Sequence, residues 1–402
     1  MEPLTQIKER VILHSDVNNF FASVECATRP DLLNKPVAVT GNPKKRNGII
    51  LAKNEIAKKQ GVKTGQVIIE AKALCPDLVC LPPHYDLYEE ISFALQELYL
   101  SYTNFVEPLG LDECWLDITG CENYLHKSPT MVADEIRYLV KKNFGFTVSV
   151  GVSFSKLFAK LGSDLRKPDF TTEISYNNYK TITYNLPLNS VVGIGRRLEK
   201  KFTSIGVKTI GDFVELEDKF LSHLMGINGL NLKADLLGQR DVPVQDYYSL
   251  PPPKSIGNGT TTITDITKEK DLQNVIYFLA QKVSSRLIRH NLVASGISLT
   301  IKDNNLKRTH KSMKIAPTNS VKTLAEHGTK IAKEIYSFSR PIRAVRLKTF
   351  ALSSSNFHQI SMFERQKNDY SKTIDEINQK YGKIYLASDL KPYINTKSHP
   401  QE

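Results

Sequence analysis

Three carboxylates define the chemistry open to this chain of 402 residues. Asp112 and Glu113 are adjacent in a Gly110-Leu111-Asp112-Glu113 turn that opens a strand-like run, Cys114-Trp115-Leu116-Asp117-Ile118. Asp16 ends another apolar run, Val11-Ile12-Leu13-His14-Ser15. Hard oxygen ligands of this kind hold divalent cations. Two such cations roughly 3.5 to 4 Å apart activate a hydroxyl and neutralise a leaving pyrophosphate, which is what phosphoryl transfer from a nucleoside triphosphate requires. If the two strands are antiparallel neighbours, the three carboxylates converge. Each acid taken singly also fits a turn or cap position, so the joint arrangement carries the reading.

The elements around these residues alternate. Val11 to Asp16 is a buried strand, and Asn18 to Glu25 follows it with helical character. A Lys-rich stretch, with a helical Ile56-Ala57-Lys58-Lys59 segment ending at Gly61, closes near Leu81-Pro82-Pro83 as an inserted subdomain. Leu87, Ile91, Leu95 and Leu98 recur at helical spacing, and a helix around Val132 to Val140 leads into the period-two strand Val148, Val150, Val152. Strand, helix, strands, helix, strand predicts an α+β palm: a small sheet backed by helices, with acids on its open face. After Pro168 come shorter helices, with Val192-Gly193-Ile194-Gly195 between two of them. The proline run in Ser249-Leu250-Pro251-Pro252-Pro253-Lys254 makes a stiff linker. Beyond it lie a strand near Gly259 to Thr264 and a helix with Leu272, Val275, Ile276, Leu279 and Val283 on one face. Leu299 and Ile301 alternate with Thr300 and Lys302, and Val345 and Leu347 with Arg346 and Lys348. These two strands present a polar, partly basic side suited to phosphates.

Length predicts two to four domains. Lys and Arg outnumber Asp and Glu by 54 to 42, a net charge of +12, which suits a polyanionic partner. With 41% hydrophobic and 24% charged residues, disorder is not the expectation. Cys26, Cys75, Cys80, Cys114 and Cys121 lack zinc or redox spacing and suit buried thiols in a reducing cytoplasm. The start of the chain has no signal-peptide pattern, and no apolar run approaches the roughly 18 residues of a membrane span, so a soluble cytoplasmic protein is expected.

The order strand-Asp16, Phe20-Phe21, basic subdomain, then Asp112-Glu113-strand resembles the Y-family DNA polymerases, from about Val11 to Phe363 and most specifically in the first 175 residues. The resemblance implies a multidomain right-hand polymerase. Its parts would be a ferredoxin-like palm (1–24 and 83–175), small fingers (25–82), a helical thumb with a helix-hairpin-helix (176–245), a linker (246–256), an α/β little finger on DNA (257–355) and a tail (356–402). It further implies that Asp16, the Val17 backbone carbonyl, Asp112 and Glu113 hold two magnesium ions, with Asp117 structural. Phe21 would be a steric gate beneath the sugar of the incoming nucleotide, beside Phe20. Lys167 and Lys160, in the run Ser155-Lys156-Leu157-Phe158-Ala159-Lys160 to Arg166-Lys167-Pro168, would meet the triphosphate, as would Lys58. Many members have Tyr and Arg where this chain has Glu55 and Lys58, which points toward the UmuC-like branch, the catalytic subunit of polymerase V. Gly110 stands where serine is common.

Gly193 and Gly195 would let backbone N–H groups approach a DNA phosphate, with Arg346 and Lys348 as little-finger contacts. Gln359-Ile360-Ser361-Met362-Phe363 resembles the peptide with which bacterial polymerases dock on the sliding clamp. The function implied is translesion synthesis: addition of dNTPs to a primer–template at low fidelity and without proofreading. The partners implied are DNA, the clamp and a UmuD-like or recombinase protein, with no membrane. Two other readings remain open. One is a non-catalytic scaffold of the same fold, disfavoured by the intact acids; the other is a palm-fold nucleotidyl cyclase, which needs neither thumb nor clamp peptide.

Overall fold

The computed structural model describes residues 10–41, 48–121, 126–240 and 242–355. The clamp-like peptide Gln359 to Phe363 and the Ile374 to Tyr381 stretch lie outside them. The described chain divides into two compact units, with the boundary in sequence at Leu250 and Pro251.

The first unit runs β1 (Ile12–Val17), α1 (Phe20–Thr28), β2 (Val37–Thr40), β3 (Ile50–Lys53), α2 (Glu55–Lys59), α3 (Ile68–Leu74), β4 (Val79–Leu81) and α4 (Tyr85–Leu100). It continues with β5 (Val106–Leu109), β6 (Glu113–Asp117), α5 (Pro129–Phe144), β7 (Val148–Ser153), α6 (Lys156–Leu165) and β8 (Thr171–Ile174). Five short helices follow: α7 (Tyr179–Thr183), α8 (Arg196–Thr203), α9 (Ile210–Val214), α10 (Asp218–Met225) and α11 (Ile227–Leu236). The main sheet has the order β5-β6-β1-β7-β8. β1 is buried along its whole length because it is central, antiparallel to β6 on one side and β7 on the other.

Strand alternation sorts β1 into two faces. Leu13 and Val17 join the core beneath α4 and α5, with Leu95, Tyr99, Ile136 and Val140. Ile12, His14 and Asp16 face the other way, toward α6, where Ile12 packs on Ala159. α6 lies unusually close to the sheet. A Cβ on Gly151 of β7 would sit 1.9 Å from the Ala159 carbonyl oxygen, so only glycine permits this approach. That closeness delivers Lys160 and Ser163 to the acidic edge of β1.

The helix over Tyr85 to Leu100 sits slightly rotated from the leucine stripe. Its fully buried positions are Tyr88, Ser92, Leu95 and Tyr99, with Leu87, Ile91 and Leu98 flanking them. The tyrosines go inward because each hydroxyl has a buried partner: Tyr88 donates to Glu25 and Tyr99 bonds Ser15.

A separate three-stranded sheet, β3-β2-β4, carries a small cluster of buried residues, among them Ala38, Ile50, Val62 and Leu78, and its Val37 and Leu81 join Cys26 and Leu32 in another. So small a core makes a thin subdomain. Helices α7 to α11 enclose Phe202, Phe213, Leu221 and Leu236. α9 starts with a capping box, Thr209 and Asp212 satisfying each other's backbone N–H groups.

The second unit runs β9 (Ser255–Ile266), α12 (Glu269–Arg289), β10 (Leu292–Asp303), β11 (Arg308–Thr318), α13 (Val321–Ile335) and β12 (Ile342–Ser354), with sheet order β11-β10-β12-β9. Leu272, Ile276, Leu279 and Val283 of α12 pack on Leu299, Ile301, Val345 and Leu347. Thr300 lies opposite Arg346 and Ser298 opposite Lys348, on the face away from that core. β9 extends beyond the expected Gly259 to Thr264 because β12 pairs with it from Ser255 to Ile266. β11 has a weak hydrophobic signature: it is an edge strand with no fully buried residue, and Met313 and Ile315 pack partly against the core.

Candidate active site

The register of β1 against β6 sets Asp16 directly opposite Glu113. Asp112 enters from the β5–β6 turn, where its carbonyl accepts the Val17 N–H at 2.9 Å and so ties the turn to the end of β1. Gly110 begins this turn at φ +83°, a left-handed conformation that would strain a serine. Strand pairing and one turn therefore bring together the three carboxylates and the end of β1 at Val17.

Two lysines of the α6 segment enter the same cluster. Lys160 Nζ lies 3.0 Å from Asp16, 2.8 Å from Glu113 and 3.3 Å from Asp164. Lys167 Nζ lies 2.7 Å from Asp16 and 2.8 Å from Asp164. Burial alone would lower both ammonium pKa values, but the surrounding carboxylates outweigh it and hold both above the ordinary lysine value. Both lysines thus stand as countercharges on the acids.

Asp112 has no such partner and shows the cost. Burial, then the charges of Asp16 and Glu113, push its carboxyl up to about 6. Glu113 moves the other way: burial would raise its pKa, but hydrogen bonding from His14 and Lys160 prevails and lowers it. As the side chains stand, no three His, Cys, Asp or Glu groups among the described residues form a ready-made metal cluster. The donors nevertheless suit a hard dication. They are oxygens on one edge, and Asp112 is short of positive charge.

The Asp112 shift fixes a stability effect. A carboxyl whose folded pKa is raised from 3.8 to about 6 costs nothing below about pH 4, and its ionisation costs progressively more stability until the pH passes about 6. Without divalent ions, Asp112→Asn is therefore expected to stabilise the fold at pH 7.5 by on the order of 1 to 2 kcal/mol, after a discount for solvent screening. The gain should vanish near pH 4, as paired thermal melts would read. An equal gain at both pH values would refute the charge argument.

His14 was not among the residues singled out from sequence, although it lies two positions before Asp16 on the same strand face. It is fully buried, with Nδ1 2.8 Å from Ser163 Oγ and Nε2 3.2 Å from Glu113 Oε2. Burial holds the imidazole below its ordinary pKa, against the pull of Glu113, so it stays neutral. Asp164 was also missed, and its i+3 and i+4 spacing to Lys167 and Lys160 was the available signal.

The aromatic pair divides. Phe20 is 4% exposed within the main core, so it has no ring face to give a sugar, contrary to its expected nucleotide contact. Phe21 is half-buried and stacks on Tyr88, with centroids 4.3 Å apart and an interplanar angle of 13°. Lys58 bonds Glu55 at 3.1 Å, and Glu55 also accepts from Asn19 Nδ2 at 2.8 Å, which turns its carboxylate toward the start of α1. Gly193, at φ +100°, and Gly195, which caps α8, have open space where a side chain would be. Arg346 and Lys348 lie on β12 of the second unit. Asp117 bonds Arg10 at 2.8 Å and caps the Thr119 backbone, which is a structural role.

The sequence matches the profile of the impB/mucB/samB family over residues 15–164 and that of the family's C-terminal domain over residues 253–362. A protein named DNA polymerase IV from Acetivibrio thermocellus is 39% identical over 381 residues, covering 93% of this chain and 95% of the relative. DNA polymerase IV 1 of Bacillus subtilis is 36% identical over 297 residues, covering 73% of this chain and 70% of the relative. In fold, a solved Y-family DNA polymerase chimera superposes with a TM-score of 0.76 at 22% identity, covering 86% of this chain and 99% of its own. With both family profiles matched on the sheets that carry these residues, and relatives aligned along nearly its whole length, the chain belongs to the impB/mucB/samB family of Y-family DNA polymerases.

Proposed function

We propose that this protein is a DNA-directed DNA polymerase of the translesion kind, which adds dNTPs to a primer end opposite damaged template. The observation that carries the reading is the meeting of Asp16, Asp112 and Glu113 on one sheet edge with two lysines beside them. Asp16, Asp112, Glu113 and the Val17 carbonyl would hold divalent cations, which we take to be two magnesium ions. When bound, these supply Lewis acidity at the primer hydroxyl and the departing pyrophosphate. Lys167, 27% exposed, and Lys160 beside it can exchange their carboxylates for triphosphate oxygens. Phe21 presents its free face to the sugar. Lys58, held by Glu55, is the weakest of the proposed phosphate contacts.

The main sheet with its helices is the palm, the β3-β2-β4 subdomain the fingers, α7 to α11 the thumb with a DNA-backbone loop at Gly193 and Gly195, and the second unit the little finger with Arg346 and Lys348. A thin fingers subdomain has little mass to close over the nascent pair, which fits low fidelity. The scaffold reading is disfavoured by the intact acids, and the cyclase reading by the second unit. Because the relatives are named DNA polymerase IV, the UmuC-like placement drawn from Glu55 and Lys58 gives way to that branch, and with it the case for a UmuD-like partner. No helix among the described residues is long and apolar enough to cross a membrane, and action on chromosomal DNA would place the protein at the nucleoid.

Primer extension with magnesium on undamaged and abasic templates tests the reading. Extension on both supports it, and no extension with any divalent ion would sink it. For the clamp, deletion of Gln359 to Phe363 is expected to weaken binding to an immobilised sliding clamp about 30-fold or more, the effect of removing an anchor residue, while basal extension is unchanged. Equal clamp binding before and after deletion would refute the docking peptide.

A further inference from the structure

Lys167 stands in the connection that runs from the end of α6 at Leu165 to the start of β8 at Thr171. Two residues on, Asp169 takes the left-handed conformation, φ +53°, which a residue other than glycine keeps only where its surroundings hold it. Arg137 of α5 holds it. Its Nε and Nη2 donate to Asp169 Oδ1 at 3.2 and 2.9 Å, and Nη2 also donates to the Asp169 backbone carbonyl. Lys141, one turn along α5, takes the other oxygen, Oδ2, at 3.1 Å. The third nitrogen, Nη1, donates to Thr171 Oγ1 at 3.3 Å and to Asp134 Oδ1 at 2.7 Å, and Thr171 Oγ1 donates to the same Asp134 oxygen at 2.7 Å. Burial would raise the Asp169 pKa, but hydrogen bonding from Lys141 and Arg137 prevails and keeps the carboxylate ionised.

The clamp is anchored away from the acidic cluster. α5 packs Val132, Ile136 and Val140 into the main core, on the face of the sheet opposite α6, and Arg137 meets the connection where β8, the edge strand, begins. A lysine ammonium ends a flexible four-carbon stem, so where it goes depends on where its backbone is held. With the connection loose, Lys167 Nζ would sample many places, and any contact it made would cost more ordering entropy. With Asp169 fixed, Nζ lies 2.7 Å from Asp16 and 2.8 Å from Asp164.

We infer that Arg137, by clamping Asp169, is a positioning residue for the incoming nucleotide: it fixes the backbone beside Lys167, so that affinity for the triphosphate depends on Arg137 although it touches no substrate. The inference rests on the reading of Lys167 as a triphosphate contact. Lys141 supports the same carboxylate from a side chain 63% exposed, so it adds less.

The test follows single-turnover insertion by the full chain as the concentration of one dNTP rises, which separates nucleotide affinity from the maximal rate. Lys167→Ala is the control and is expected to weaken affinity about 10-fold, the effect of losing one charge-assisted hydrogen bond. Arg137→Gln is expected to weaken it about 5-fold, with the maximal rate within about twofold of native, as loss of uniform binding does. Asp169→Asn removes the charge but keeps a residue that tolerates the left-handed conformation, so it acts in the same direction and serves if the glutamine variant folds poorly. In the Lys167→Ala background, Arg137→Gln should change affinity no further, because its effect passes through the lysine. A residue that supports only the fold would lower the active fraction instead, or act equally in both backgrounds. Unchanged affinity in the folded Arg137→Gln chain or in Asp169→Asn, or an equal loss with and without Lys167, overturns the positioning role and leaves Lys167 as a contact. If Lys167→Ala itself leaves affinity unchanged, the reading of Lys167 fails and this inference falls with it.

Discussion

Asp112→Ala is expected to reduce primer extension at least about a thousandfold, with kcat falling and primer–template affinity nearly unchanged. Asp112 is the one carboxylate of the three without a lysine on it, and the one driven farthest toward neutrality, up to about 6, by its neighbours. A buried acid in that position gains from a dication what it cannot gain from the protein. Its removal would take a proposed ligand from the site without breaking any side-chain ion pair described for the cluster, so the loss should appear in the chemical step. The alanine chain should melt no lower than the native one at neutral pH without divalent ions. Single-turnover extension and a binding isotherm on the same preparation separate the two quantities. If the variant extends primers within a few fold of the native rate, Asp112 is not part of the catalytic centre.

The second large effect is on the sugar. Phe21→Ala is expected to reduce the preference for dNTPs over rNTPs by about 10- to 200-fold, the range that a few carbon atoms in a shaped pocket command. The direction follows from sterics: a half-buried ring on a rigid backing leaves room for a 2′-hydrogen, and alanine leaves room for a hydroxyl as well. dNTP insertion should change less than rNTP insertion, because the deoxy sugar loses only packing. Running-start extension with each nucleotide pool reads the ratio. An unaltered ratio would move the gate to another residue.

The palm was legible because its strongest signal is local. The apolar run Val11-Ile12-Leu13 announces a buried strand, and the alternation at Val148, Val150 and Val152 announces its neighbour. The acidic edge was legible as a condition, since antiparallel pairing was enough to bring Asp16 to Glu113. His14 and Tyr88 were not. A histidine in an apolar run and a tyrosine at helical spacing both look like core, and their roles depend on partners 99 and 63 positions away, Glu113 and Glu25. β11 was missed for the opposite reason, because an edge strand with two partly buried apolar residues, Met313 and Ile315, carries little hydrophobic pattern. Lys160 and Lys167 were expected to meet phosphate, whereas in the free protein they sit on the carboxylates. Sequence gives the charge of a group but not which anion it holds in the absence of substrate.

That last feature would make the proposed centre an ion exchanger. Asp16, Glu113 and Asp164 are already paired with two ammonium groups, so cations that load the site displace bound positive charge rather than fall into a bare negative field. The displaced lysines need an anion, and a triphosphate is one. If the ions and the triphosphate proposed above bind here, they load as two halves of one exchange, each improving the other's affinity by the same factor, as thermodynamic reciprocity requires. Either alone meets a site that already holds its own counterions.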